Sequence, residues 1–190
     1  LQIYSSIGVS PKIVDSRQYA DSSSGGVLLC EWSPGDDYLA IGGIYPIAED
    51  DFNDSQDLRI YRFDKFSNKL VACCAVQTLP GGRVTSGQWS PNGDYLAVID
   101  YGNTLIIYKF DGNSLQEVLN KSNVRYLCWH PSGKFLALSE NILRIYSFDG
   151  TSLNLACSDP SSMRPYEISW HKGGEYFCFS AYNFPATQYV

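Results

Sequence analysis

Four oxygen-bearing side chains alternate along one acidic stretch of the sequence. Residues 51–57 read D-x-N-x-S-x-D, and the alternating positions are Asp51, Asn53, Ser55 and Asp57. A loop with oxygen ligands at every second position can wrap a hard cation such as Ca²⁺. Two positions depart from that pattern, because Gln56 replaces the turn glycine and Arg62 stands where a calcium loop ends on Glu. The stretch predicts a solvated acidic loop and no bound cofactor, with a Ca²⁺ site as the alternative.

The two histidines of the chain are the other residues that could do chemistry. His130 and His171 each follow a tryptophan, at a place where related phrases carry Ser33 and Ser90. A hydroxyl and an imidazole can both make a local hydrogen bond in a turn. No third residue completes a Ser-His-Asp or Cys-His arrangement. We therefore predict turn residues here, and no catalytic residue in the chain.

Composition limits the class of partner. The 190 residues carry a formal net charge of -6, which opposes binding to nucleic acid or to an anionic membrane surface. No apolar run approaches the roughly 18 residues that a membrane-spanning helix requires. The six cysteines lie in short apolar runs without a CxxC pair, which predicts small buried residues and favours a reducing compartment such as the cytoplasm. They are Cys30, Cys73, Cys74, Cys128, Cys157 and Cys178.

The phrase that contains the histidines occurs four times. The copies are WSPGDDYLAIGG from Trp32, WSPNGDYLAVID from Trp89, WHPSGKFLALSE from Trp129 and WHKGGEYFCFSA from Trp170. A second phrase keeps step with the first, as LQIY at 1–4, LRIY at 58–61, LIIY at 105–108 and LRIY at 143–146. Gly, Asn or Pro stands at each connection, as tight turns require. One period of about forty residues therefore predicts a meander of four short strands, called a to d.

The apolar runs in these strands are nearly continuous, so both faces of each small sheet must be covered. A radial stack of sheets does this, and the period matches a β-propeller blade. We predict one all-β domain of four-stranded antiparallel blades, with about three complete blades and two partial ones. The expected blade segments are 1–20, 27–77, 84–120, 124–158 and 165–190. A segment of a larger propeller of perhaps seven blades is favoured, with closure by the chain itself or by a dimer as alternatives.

The pattern W-S-P-x-G-x-Y-L-A, followed by a strand that ends in I-Y, resembles the divergent WD-repeat-like β-propellers of bacterial and viral proteins. The resemblance covers essentially the whole chain. It departs from the standard WD repeat because IY replaces the WD dipeptide and no Gly-His pair precedes strand a. The hydrogen-bond network that links strands in standard repeats is therefore not expected here. The four tryptophans are predicted to be packing residues, since every blade needs the same packing.

In such a propeller the b–c and d–a connections emerge on one rim, and loops on a rigid scaffold carry binding determinants. We predict a binding surface on that rim, with ordinary polar loops as the alternative. Its expected residues are Asp50, Asp51, Asp54, Asp57, Arg83, Tyr101, Asn103, Lys121 and Asn141.

The resemblance implies a non-enzymatic scaffold that binds a protein partner, or further propeller blades, through rim loops. One alternative is a structural subunit of a large assembly such as a virion, a tail or a cell-surface element. A second is an enzyme similar to lactonase-type propellers, which hold a divalent cation in the central channel. That chemistry needs convergent carboxylates and amides, and Glu31, Gln88 and Glu167 are too scattered in register to supply them.

Overall fold

The computed structural model describes residues 2–5, 12–16, 26–43, 56–78, 83–159, 161 and 163–182. These residues form sixteen strands, and no helix that could span a membrane occurs among them. The strands are β1 Gln2–Ser5, β2 Lys12–Ser16, β3 Val27–Trp32, β4 Tyr38–Gly43, β5 Leu58–Asp64, β6 Lys69–Val76, β7 Val84–Trp89, β8 Tyr95–Asp100, β9 Leu105–Phe110, β10 Leu115–Lys121, β11 Tyr126–Trp129, β12 Phe135–Ser139, β13 Leu143–Phe148, β14 Leu153–Ser158, β15 Arg164–Trp170 and β16 Phe177–Tyr182.

Consecutive strands pair into small antiparallel sheets. The first blade is β3 to β6, the second is β7 to β10 and the third is β11 to β14, while β1–β2 and β15–β16 are two-stranded sheets. The turns contain residues with positive φ, such as Gly93 at 78° and Asn103 at 62°, which are types that tolerate the left-handed region. The predicted fold of three complete and two partial blades is confirmed.

Alternate residues of one strand enter two different cores, which explains the continuous apolar runs. In β8, Leu96 and Val98 pack against the first blade, whereas Ala97 and Ile99 pack against the third. All four side chains are buried. Because successive side chains of a strand point to opposite faces, an apolar residue is needed at every position of a sheet that is covered on both sides.

The innermost strands of neighbouring sheets lie beside one another: β3 contacts β7, β7 contacts β11 and β11 contacts β15. Tryptophans at the ends of these strands join the blades. Trp89 Nε1 donates to the carbonyl oxygen of Glu31 and Trp129 Nε1 donates to that of Gln88, each at 3.2 Å. The rings of both tryptophans are buried in the blade interfaces, so they are packing residues. Trp32 differs, because 37% of its surface is exposed.

The cysteines do not all follow the sequence prediction. All six are free thiols, but only Cys128 is buried, and the prediction of burial is wrong for Cys30, Cys157 and Cys178, which are exposed. Cys30 lies on an innermost strand, Cys157 on the outermost strand of its sheet and Cys178 on β16. An apolar run predicts burial only where a second sheet covers the strand, and these positions lie at the edges of the blade stack.

The histidines make local hydrogen bonds in turns, as predicted. His130 Nδ1 accepts from the Ser132 amide at 3.0 Å, and His171 Nδ1 accepts from the Gly173 amide at 3.2 Å. At the equivalent place in the second blade, Ser90 Oγ accepts from the Tyr95 amide at 2.9 Å.

Candidate binding groove on the upper rim

The blade stack has two rims that differ in their connections. We call the edge with the b–c and d–a connections the upper rim, of which residues 101–104 and 122–125 are examples. The lower rim carries the a–b and c–d turns, such as residues 90–94 and 111–114. Of the predicted binding residues that the structure describes, Lys121 ends β10 and the others lie in upper-rim connections, namely Asp57, Arg83, Tyr101, Asn103 and Asn141. Five of the residues proposed for the rim or for a cation, namely Asp50, Asp51, Asn53, Asp54 and Ser55, lie outside the described residues.

Asp57, predicted both as a binding residue and as a metal ligand, is engaged within its own blade. Its carboxylate accepts from the backbone amide of Thr78 at 2.7 Å and also from the Thr78 hydroxyl. These hydrogen bonds join the residue before β5 to a residue just after β6. Asp57 therefore joins two strand ends of the first blade.

Arg83 and Tyr101 lie together on the upper rim of the second blade. The Arg83 guanidinium carbon lies 5.7 Å from the centre of the Tyr101 ring, within cation–π range. The Tyr101 amide donates to the Arg83 carbonyl oxygen at 2.8 Å, so the backbone fixes the pair. The Tyr101 side chain is 70% exposed, which leaves most of its ring accessible to a partner.

Lys121 belongs to a charged cluster between the second and third blades. Its ammonium lies 3.3 Å from the buried carboxylate of Glu140 and 5.0 Å above the Tyr146 ring. Burial alone would lower the pKa of Lys121, but the attraction of Glu140 and the hydrogen bond to Tyr146 outweigh it and raise the pKa. Glu140 also accepts from Arg144 and from the Tyr146 hydroxyl. Asn141 follows this cluster in the b–c turn and is exposed.

A groove of about 350 Å³ opens on the upper rim among three successive sheets. Among the described residues, Asn103 is the one predicted binding residue in its lining. The other lining residues come from the starts of β7, β11 and β15: Thr85, Ser86, Arg125, Tyr126, Arg164, Pro165 and Tyr166. Its volume is at the lower end of the roughly 300–1,000 Å³ that ligand pockets span. The groove therefore suits a short segment of a partner.

Position within the repeat explains why these residues line the groove. The fifth residue before each of the last three tryptophans is Val84, Val124 or Pro165, and all three are buried. The fourth residue comes next in the chain and faces the groove, at the position where the pairing registers of β7 and β15 shift. Those groove residues are Thr85, Arg125 and Tyr166.

Hydrogen bonds between neighbouring strands hold the lining in place. The Arg125 amide donates to the Ser139 carbonyl oxygen at 2.8 Å, and the buried Ser139 hydroxyl donates to the Pro165 carbonyl oxygen at 2.6 Å. The Thr85 hydroxyl donates to the Ile99 carbonyl oxygen at 3.0 Å. A lining fixed before binding reduces the entropy lost on association.

The chemistry of the groove is aromatic and cationic. The rings of Tyr126 and Tyr166 lie 6.0 Å apart between centroids, at an interplanar angle of 56°, and both are partly exposed. Arg125 and Arg164 are exposed at the same site. Tyrosine and arginine are enriched among the residues that dominate binding energy at protein interfaces. No carboxylate occurs among the described residues that line the groove.

The polar residues named for lactonase chemistry have different environments. Burial raises the pKa of Glu31, and the Gln88 side-chain oxygen accepts from the Trp129 amide at 2.8 Å. Glu31 and Gln88 each directly precede a tryptophan, whereas Glu167 stands three residues before Trp170. In the part of the chain that the structure describes, no three His, Cys, Asp or Glu side chains form a group that could hold a metal ion.

One sequence signal could have identified the groove. The residues that pack the blades recur in each copy of the repeat, whereas the fourth residue before the tryptophan is Leu28, Thr85, Arg125 or Tyr166 in successive copies. Variation inside a repeated phrase marks a position that packing does not fix. The prediction from the repeat considered the turn loops and missed these strand residues.

Comparisons with known proteins agree with this architecture. A family model for the WD40 domain of anaphase-promoting complex subunit 4 matches residues 87–173. No curated protein sequence matches the chain significantly.

Three solved structures show the same fold at low sequence identity. A candidate 6-phosphogluconolactonase from Bacteroides uniformis superposes with a TM-score of 0.65 at 16% identity, covering 86% of this chain and 50% of that one. The Cps50 (Swd1) β-propeller domain of Myceliophteria thermophila has a TM-score of 0.61 at 13% identity, with 83% and 50% covered. Sqt1 of Saccharomyces cerevisiae has a TM-score of 0.59 at 15% identity, with 80% and 40% covered. The chain thus spans about half the length of these proteins or less.

Proposed function

We propose that this chain, whose strands form β-propeller blades and whose residues 87–173 match a WD40-domain model, is a divergent WD-repeat-like, non-catalytic scaffold that binds a protein partner through the upper-rim groove. WD40 propellers commonly serve as protein-interaction scaffolds. The single observation that carries the proposal is the placement of Tyr126 and Tyr166 beside two exposed arginines on a fixed strand platform. Aromatic and arginine anchors of this kind supply most of the affinity of a protein interface.

The rim residues predicted from the sequence extend this surface. Tyr101, with Arg83 beside it, stands on the b–c turn that also contributes Asn103 to the groove. Lys121 ends β10 at the upper rim, and Asn141 lies on the upper-rim connection between β12 and β13. We assign them to the periphery of the interface, where contacts exclude water from the central anchors and contribute less affinity themselves.

Site-specific photo-crosslinking tests the proposal. A photoreactive phenylalanine analogue is placed at Tyr166 in the groove and, as the matched control, at Phe66, an aromatic residue on the lower rim that is 97% exposed. In an extract of the source cells, we expect the groove probe to yield a discrete cross-linked protein that the Phe66 probe does not. Arg125→Ala in the same chain should reduce the yield. Equal products from both positions would refute the groove as the binding face.

A second candidate function is favoured by a structural neighbour, the candidate 6-phosphogluconolactonase. Hydrolysis of 6-phosphogluconolactone by the purified chain, with and without added divalent cations, tests it directly. We expect no rate above spontaneous hydrolysis. A rate that Glu31→Gln abolishes would replace the scaffold proposal with the enzyme.

The structural-subunit alternative predicts a different result. Such a subunit would purify from its native source in an assembly with a fixed, symmetric copy number. In that case the cross-linked product of the Tyr166 probe would be a neighbouring subunit of the assembly.

A further inference from the structure

We propose that the segment bound in the upper-rim groove is a short acidic stretch of the partner, with a carboxylate that pairs with Arg125 and apolar side chains that pack on Tyr126 and Tyr166. This inference rests on the proposed function and specifies its partner. It follows from the charge of the groove, from the contrast with the rest of the surface and from the shape of the lining.

The groove is locally cationic in an acidic protein. The chain has 20 Asp and Glu against 14 Lys and Arg, yet two arginines and no carboxylate occur among the described residues that line the groove. An arginine guanidinium pairs with a carboxylate through two parallel hydrogen bonds, which gives both affinity and orientation. A basic segment would meet like charges at this site.

The lower rim shows the opposite sign. A groove of similar volume lies there between the first and second blades, and its lining includes Asp37, Asp94 and Asp111 but neither Lys nor Arg among the described residues. An acidic segment is repelled from that groove and attracted to the upper one. Complementary charge of this kind selects the face on which a partner docks.

The tyrosines define the rest of the ligand. The Tyr126 and Tyr166 rings stand 6.0 Å apart and tilted, so they present two adjoining surfaces with hydroxyl groups at their ends. Leu or Phe side chains of an extended peptide would bury apolar area on these rings, while a neighbouring Asp or Glu side chain reaches Arg125.

A single-stranded nucleic acid is the competing polyanion, since its bases stack on aromatic rings. Its affinity depends on many phosphate contacts along a positive groove. The net charge of -6 opposes a long polyanion beyond this small groove. A short acidic peptide needs only Arg125 and the two tyrosine rings, so the observations favour the peptide.

Fluorescence anisotropy with the full chain provides the test. The probes are a fluorescein-labelled peptide in which Asp and Glu alternate with Leu and Phe, the same peptide with Lys at the acidic positions, and a labelled oligothymidylate of equal charge to the acidic peptide. We expect the acidic peptide to bind most tightly, with an affinity that falls as salt rises. Arg125→Glu should weaken it by about tenfold or more, whereas Arg125→Lys should retain part of the binding.

Lys65→Glu is the matched control, because it changes the net charge by the same amount on the lower rim, where Lys65 pairs with Asp37 at 2.7 Å. We expect it to leave peptide affinity within about twofold of wild type, since exposed charges beyond the screening length contribute little. An equal loss in both variants would show a general charge effect and overturn the proposal. Circular dichroism of each variant checks that the fold is retained.

The remaining outcomes are also decisive. Tighter binding of the oligothymidylate would assign the groove to nucleic acid. Preference for the Lys peptide, or binding of neither peptide, would refute the proposal of an acidic segment. These results leave the scaffold proposal standing if the Tyr166 probe still cross-links a partner. If that probe cross-links nothing beyond the Phe66 control, the scaffold proposal itself fails.

Discussion

Two grooves among the described residues lie on opposite rims and are built from different kinds of residue. The lower groove is lined by turn residues, and Ser33, Asp37 and Tyr38 of the first blade recur in the second as Ser90, Asp94 and Tyr95. The upper groove is lined by residues that change from one blade to the next, among them Thr85, Arg125 and Tyr166. The repeat thus keeps these lower-rim residues in its first two copies, whereas its upper-groove residues differ from one copy to the next.

The two rims differ in whether their residues make contacts between blades. On the lower rim, the Tyr38 hydroxyl of the first blade donates to the Gly112 carbonyl oxygen of the second at 3.2 Å, and the Tyr38 ring meets Phe110 edge to face at 4.8 Å. These contacts join blades, and the equivalent pair Tyr95 and Phe148 joins the second and third blades with ring centroids 4.9 Å apart. No blade contact constrains an exposed side chain such as Arg125 on the upper rim. We therefore expect lower-rim and interface substitutions to reduce stability and upper-groove substitutions to change binding.

The largest stability effect should come from Trp129→Ala. The Trp129 ring is buried between the second and third blades, packs edge to face with Phe148 at 5.4 Å and donates to the Gln88 carbonyl oxygen. Removing a buried Trp costs about 3–5 kcal/mol through lost burial and a cavity. Urea denaturation measures this loss. The control is Phe66→Ala, which removes an aromatic ring that is 97% exposed. It should change the free energy of unfolding by less than about 0.5 kcal/mol.

Gly150→Ala tests the tight contact between blades at the lower rim. Gly150 has a φ of 99°, which strains any other residue, and a Cβ there would lie 2.8 Å from the Tyr95 hydroxyl oxygen. We expect a loss of about 1–3 kcal/mol in the free energy of unfolding. Tyr95→Phe in the same chain should recover part of it by removing that oxygen. Gly35→Ala, with ordinary φ and its nearest contact at 3.5 Å, is the control, and an equal loss there would contradict this explanation.

Tyr38→Phe should have a smaller effect. The substitution removes the hydroxyl that bonds to Gly112 and keeps the ring against Phe110. A lost hydrogen bond of this kind costs about 0.5–1.5 kcal/mol. The control is Tyr176→Phe, since Tyr176 is 73% exposed and its hydroxyl remains in water. If thermal and urea denaturation show the same change for both variants, the blade-to-blade bond does not stabilise the lower rim.

The fold could be predicted from the sequence because packing recurs with the repeat. The predicted meander of four strands is found in three four-stranded antiparallel sheets, and the tryptophans occupy the expected interfaces at Trp89 and Trp129. Both follow from the same turn and the same ring in every copy. The prediction that Cys157 is buried is wrong because an apolar run does not show whether another sheet covers it.

The upper groove could not be predicted in the same way. Its strands depart from simple alternation, because the pairing registers of β7 and β15 shift around Thr85 and Tyr166. A β-bulge inserts one residue and redirects the side chains beside it. A period-of-two pattern therefore fails where the groove residues lie. Because three successive sheets line the groove, residues about forty positions apart in the chain, such as Arg125 and Tyr166, lie together there. No local sequence motif connects such residues.

The smallest predicted effect concerns the pH dependence of the lower rim. The Asp111 carboxylate accepts from the Asn113 amide at 2.9 Å and from the Ser114 amide at 2.7 Å, and these bonds hold its pKa below the ordinary value of 3.8. Asp149 has a similarly lowered pKa, from the amides of Thr151 and Ser152 in the equivalent turn of the third blade. A carboxyl group with a lowered folded-state pKa stabilises the fold above its unfolded pKa, and this contribution is lost as the pH falls through the folded value.

We therefore expect the urea midpoint of the wild type to fall as the pH is lowered from about 6 to about 3, in part through these turns. Asp111→Asn should flatten that dependence slightly, because the amide oxygen keeps an acceptor that does not titrate in this range. Asn113→Ala is the matched control, since it leaves the carboxylate and both backbone donors in place, and it should retain the wild-type slope. If Asp111→Asn and the wild type have the same slope, the repeated turn carboxylates do not contribute to the pH dependence of stability. The recurrence of lower-rim residues between blades then has to be explained by packing contacts such as those of Tyr38.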